Sequence, residues 1–111
     1  MPIERPEREA LERTAIEHIT GVPLPQEWPQ GALPPGARVR VVQDSTYGGP
    51  WARVFLATVS ALGAPVPAVS RLAKAGELEY WIEFDEPELD LGGDGPYYKA
   101  LIWDRYLEPL E

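Results

Sequence analysis

The stretch "ELEYWIEFD", Glu77 to Asp85, decides the fold. Leu78, Tyr80, Ile82 and Phe84 alternate with Glu77, Glu79, Trp81 and Glu83. A period of two puts the first set on one face of a β-strand and the second on the other. One face is apolar and asks for a core. The other carries three glutamates and a tryptophan, and asks for water or a partner.

Downstream, "PYYKALIW" (Pro96–Trp103) reads as a further strand, and "DRYLEPL" (Asp104–Leu110) as a tight turn followed by a terminal strand. Upstream, "ARVRVVQ" alternates Val39 and Val41 against Arg38 and Arg40. "WARVFLATVSAL" reads as a long strand with Phe55, Ala57 and Val59 on one face. "DSTYGGP" between them is rich in turn residues. Gly63, Pro65 and Pro67 break the β pattern in "GAPVPAVSRLAKAG", which leaves room for a short helical turn over Val69–Lys74. Together these predict a mainly β fold, a small closed barrel of about five strands.

Two segments precede it. Pro6 to Thr20 predicts a helix, with proline in the first turn, Glu7 and Glu9 at the positive end of the dipole, and Gly21 to stop it. Leu11, Ala15, Ile16 and Ile19 form a narrow apolar stripe, fit to dock on the domain or on a second copy as a homodimer. Glu4/Arg8, Glu9/Arg13 and Arg13/Glu17 have the spacing of helical ion pairs. Residues 22–36, "VPLPQEWPQGALPPG", hold five prolines and exclude regular pairing. The segment reads as an extended connector packed through Leu24, Trp28 and Leu33, or as a polyproline ligand for another domain. The organisation is therefore a helix over 1–21, a connector over 22–36 and a barrel over 37–111.

The barrel segments resemble SH3-like barrels. "GARVRVV" resembles the entry strand of several bacterial members. "YWIEFD" is similar to a strand of the barrel in the nitrile hydratase β-subunit and in the variable chain of ferredoxin–thioredoxin reductase. "WDRYLEPL" resembles the closing turn and strand of SH3-type domains. The resemblance spans about Ala37 to Glu111. It implies a non-catalytic barrel that stabilises or positions a partner subunit. The cysteine–metal chemistry of nitrile hydratase lies in another subunit, so the resemblance carries over no catalytic residue.

Charge points the same way. The net charge is -8, and eight acids with no base fall between Glu77 and Asp94. The rest of the chain has ten acids and ten bases. All the surplus sits in one strand and its loop. That sign disfavours nucleic acid and anionic membranes and favours a basic protein surface or a cation. The absence of cysteine removes disulfides, zinc ribbons and thiol nucleophiles, and with an N-terminus lacking an apolar leader it predicts a cytoplasmic chain.

Catalytic signatures are missing. His18 is the single histidine, and Ser45, Ser60 and Ser70 lack a nucleophile-elbow pattern. "YGGP" and "LGGDGP" lack the Lys-Ser/Thr of a phosphate loop. "DLGGDG" superficially matches a calcium loop, but the third and twelfth positions counted from Asp90 are Gly92 and Leu101, which excludes an EF-hand. The Asp85–Asp94 segment is then a looser cation site, a partner contact or a solvated turn. No catalytic residue, cofactor or defined metal site is expected. The leading expectation is a non-enzymatic binding or accessory domain. Its candidate partner-binding residues are Tyr47, Trp51, Glu79, Trp81, Glu83, Glu86, Glu88 and Asp90. An acidic inhibitor or immunity-type protein blocking a basic enzyme site would use the same residues. Trp81 is either exposed among those acids or covered by the helix or connector.

Overall fold

The computed structural model describes residues 5–43, 51–70 and 72–110. Helix α1 spans Arg5–Thr20. The strands are β1 (Arg38–Val41), β2 (Phe55–Val59), β3 (Val66–Pro67), β4 (Leu78–Glu88), β5 (Tyr97–Trp103) and β6 (Leu107–Pro109), with a 3-10 turn at Asp104–Tyr106 before β6. They form one antiparallel sheet in the order β3–β4–β2–β1–β6, with β5 also paired to β4. The sheet curls into a half-barrel.

The period-two reading of β4 holds where it matters. Tyr80, Ile82 and Phe84 are buried, facing Val39, Val41, Phe55, Ala57, Val59 and Ile102 in one core. Trp28, Ala32 and Leu33 of the connector pack against that core, and the Leu33 N–H donates to the Tyr80 hydroxyl at 3.0 Å. Residues 22–37 form no regular element.

Other expectations change. The long strand-like run contracts to β2, because Ala52 and Arg53 bend away after Trp51 bridges Asp90. Of the short helical turn expected over Val69–Lys74, the described residues show bends at Ser70 and Ala73, a turn at Leu72 and the Ala73 N–H donating to the Ser70 carbonyl, while Arg71 lies outside the described residues. Glu77 leaves the exposed set. Its side chain is 3% exposed, because it precedes the first residue of β4 and turns in towards Arg105, whose Nη2 lies 2.7 Å away. The Lys74 and Arg105 N–H groups also donate to it. Arg105 lies over the Trp103 ring at 5.3 Å. This cluster ties the segment before β4 to the turn before β6.

Helix α1 docks by its polar side. The Ser60 hydroxyl and the Ala61 N–H both donate to Glu9 Oε2 at 2.7 Å, and Glu9 is buried. Arg13 donates to the carbonyls of Ala61 and Leu62, each at 2.7 Å. The Leu24 N–H donates to Glu17 at 2.6 Å. These contacts replace the expected Glu9/Arg13 and Arg13/Glu17 pairs, while Arg8 and Glu12 approach at 3.7 Å. The reason is backbone supply. Past the end of β2 the chain leaves the sheet, and its N–H and C=O groups need partners that side chains of α1 provide. The expected Glu4/Arg8 pair lies outside the described residues.

Candidate partner-binding site

The structure splits the predicted residues into two groups. Glu79, Trp81 and Glu83 stand on the outer face of β4, and α1 and the connector reach over that face. Glu83 accepts from Arg8 at 2.7 Å, and its register partner Lys99 donates to Glu12 at 2.8 Å. Trp81 is half-buried. Its ring and Leu24 flank Gly63 so closely that a Cβ there would lie 3.4 Å from the ring and 3.3 Å from Leu24. Of the two alternatives for Trp81, coverage is the one observed. This face is largely engaged by the chain itself.

Trp51, Glu86, Glu88 and Asp90 come together at the other end, where the β4–β5 hairpin meets the segment before β2. Trp51 bridges Asp90, and the Ala52 N–H donates to the Leu89 carbonyl at 3.1 Å. The Trp51 ring makes edge contacts with Phe84 (4.9 Å), Phe55 (5.7 Å) and Tyr97 (5.8 Å). Expected among the partner-binding residues, it is 7% exposed, and its ring plugs the end of the core. Its indole N–H is buried with no partner among the described residues. Tyr47 lies outside the described residues.

The carboxylates here are not equivalent. Glu88 is buried and held by both arms of Arg53, at 2.8 Å each. Glu86, at 74% exposure, approaches the same guanidinium at 3.6 Å. Asp85 takes a two-armed contact from Arg38 at 2.7 and 2.6 Å, and Arg38 also donates to Thr58. Hydrogen bonds and charge raise both arginines further above their ordinary values, through Asp85 for Arg38 and Glu88 for Arg53. Asp90 is a loop cap, with Oδ1 accepting from the Gly92 and Asp94 N–H groups at 3.0 and 2.9 Å. Among the described residues no group of three or more potential metal ligands forms. Five acids (Asp85, Glu86, Glu88, Asp90, Asp94) against two arginines (Arg38, Arg53) still leave this end three charges negative.

An open depression of about 440 Å³ lies here, lined by Arg53, Phe55, Leu56, Asp85, Glu86 and Glu88. Leu56, exposed at 42%, lines it, and the exposed Val54, Leu89 and Tyr97 are chain or register neighbours of its lining residues. The site thus combines apolar area, which can anchor a partner, with surplus negative charge, which can steer one.

The loop geometry demands glycine at one point. Gly95 has φ +121°, and a Cβ there would stand 3.0 Å from Tyr97 and 3.1 Å from the Glu88 carbonyl. Gly95→Ala is expected to cost about 1–3 kcal/mol, read from denaturant unfolding.

Charge counting along the sequence missed Arg38 and Arg53. A signal existed for Arg38. Period two places Arg38, Thr58 and Glu83 on the outer face of three neighbouring strands, in register Arg38↔Thr58↔Glu83. Asp85 is two residues further along that face, within an arginine's reach. Arg53 lies in a bend, and no periodicity locates it.

The chain matches no protein-family model, no curated protein and no solved structure. No helix among the described residues is long and apolar enough to cross a membrane.

Proposed function

We propose that this chain is a non-enzymatic binding or accessory domain of the SH3-like barrel type, and that it engages a protein with a basic surface. The barrel type is supported by the meander β1–β2–β4–β5 and by the 3-10 turn that leads into β6 beside β1. One observation carries the function: Asp85, Glu86 and Glu88 line one depression together with the exposed Leu56, at the end of the sheet where the acidic loop follows. Glu86 and Asp94 steer, Leu56 and Tyr97 supply area, and the buried Trp51, Glu88 and Arg53 hold the geometry. A partner that presents a basic catalytic cleft would make the domain an inhibitor, through the same residues.

The test uses Glu86→Lys with Asp94→Lys, both exposed positions, so folding is retained. Wild type and variant are compared as baits for basic proteins, and the affinity of each captured partner is measured against salt. Loss of at least about tenfold in affinity, with a weaker salt dependence, is the expected result. Equal affinities for every partner would refute the reading.

A further inference from the structure

Among the described residues, β5 pairs only with β4, while β4 takes β2 and β3 along its opposite edge. Two hydrogen bonds fix which backbone groups β5 leaves open. The Ala68 N–H donates to the Glu77 carbonyl and the Ser60 N–H to the Trp81 carbonyl, each at 2.8 Å, so Glu77 and Trp81 turn their backbone groups toward β3 and β2. By alternation Tyr80 and Ile82 turn theirs toward β5, where they stand opposite Ile102 and Ala100. Lys99 and Leu101 therefore point their N–H and C=O groups outward, and no hydrogen bond among the described residues reaches those groups. The other edge strands are blunted. β3 is two residues long and β6 three, and they end on Pro67 and Pro109. β5 runs for seven residues without a proline. Its single charge, Lys99, is bound to Glu12 at 2.8 Å and does not guard the edge. Tyr97, Tyr98 and Leu101 along it are exposed.

We propose that β5 accepts an extended segment of the protein partner as an added antiparallel strand, and that this segment is uncharged and is followed by Lys or Arg residues. The basic flank rests on the partner proposed above, whereas the pairing stands on the edge of β5 alone. A row of backbone donors and acceptors at strand spacing is matched by another strand. Every pairing in this sheet is antiparallel. An antiparallel newcomer beside β5 runs from Trp103 toward Tyr97. Its C-terminal flank then arrives at the acidic loop, where Asp94 stands just before Tyr97 and the Asp90 N–H is bonded to the Asp94 carbonyl at 2.9 Å. The surplus negative charge of that end selects a positive flank. A second copy of this chain is the poorer occupant, because it brings a net charge of -8 to a surface of the same sign.

Titration of the isotope-labelled full chain with two capped peptides tests this. One alternates threonine and valine and ends in a pair of arginines; the other carries the same pair in front. The first is expected to shift the Lys99 and Leu101 amide resonances, to slow their hydrogen exchange, and to bind about threefold more tightly than the second. Leu101→Pro removes an outward N–H that β4 does not use, and should lower the affinity about tenfold. Glu86→Lys with Asp94→Lys should abolish the preference for trailing arginines. Exchange protection in the wild type decides the case whether or not Leu101→Pro folds. Lys99 and Leu101 amides that neither shift nor gain protection at millimolar peptide would overturn strand addition, as would a folded Leu101→Pro that binds like wild type. Shifts confined to the depression around Leu56 and Glu86 would also overturn it while leaving the basic partner in place. Equal affinities for the two peptides, with β5 protected, would overturn the antiparallel direction and its basic flank.

Discussion

Glu77→Gln is expected to lower the unfolding free energy by up to about 3 kcal/mol at neutral pH, and the loss should vanish in acid. The Glu77 carboxylate is held at a pKa of about 2 against an ordinary 4.5. The hydrogen bond from Arg105 is the largest cause. Burial opposes it, and the Lys74 and Arg105 N–H groups add to it. A folded-state pKa below the unfolded one means that the unfolded chain takes up the proton first as pH falls. The contribution is therefore complete above about pH 4.5 and is lost as pH falls toward about 2. Glutamine keeps the shape and removes the charge, leaving Arg105 partly buried beside a neutral group. Urea titrations of wild type and Glu77→Gln across this range should show two stabilities converging. A gap that stays constant down to pH 2 would mean that packing, not charge, is what Glu77 supplies. The consequence is architectural, because Glu77 and Arg105 clamp the segment before β4 to the turn that delivers β6.

What sequence showed well was whatever alternation governs. Val39 and Val41, Phe55 and Ala57, and Tyr80, Ile82 and Phe84 all face the core that a period of two requires. "DRYLEPL" forms the turn and terminal strand that its pattern predicts. What sequence hid was long-range polar pairing. Glu9 binds Ser60 and Ala61, and Arg38 binds Asp85, over separations of 51, 52 and 47 residues that no local pattern encodes. The helix reading let the apolar stripe dock on the domain or on a second copy. On the domain it is the polar side that docks, because the open backbone after β2 is met by Glu9 and Arg13. The acidic run suffered the converse error. Counted locally it was unbroken negative charge, but Arg8, Arg38, Arg53 and Arg105 each reach it from elsewhere. The hairpin end keeps most of the surplus, and half of the candidate residues lie there.

Trp51 is the residue at which stability and function must be separated. Trp51→Ala is expected to cost about 3–5 kcal/mol, since it empties the site between Phe55, Phe84 and Tyr97. Against a total of about 5–15 kcal/mol for a domain, that is enough to unfold much of the population near its melting point. Loss of partner binding in this variant would then say nothing about contact. Trp51→Phe is the informative change. It removes volume, but it also removes an indole N–H buried without a partner among the described residues. Relief of that desolvated donor is worth about 1–3 kcal/mol and offsets much of the lost packing. Trp51→Phe should therefore cost less than about a third of Trp51→Ala in equilibrium unfolding. If the indole N–H instead binds an acceptor on the partner, Trp51→Phe will keep its stability and lose affinity. If Trp51 only plugs the core, affinity will follow Glu86 and Asp94 and ignore this substitution. With stability and affinity measured on the same two variants, the four results assign Trp51 to the core or to the interface.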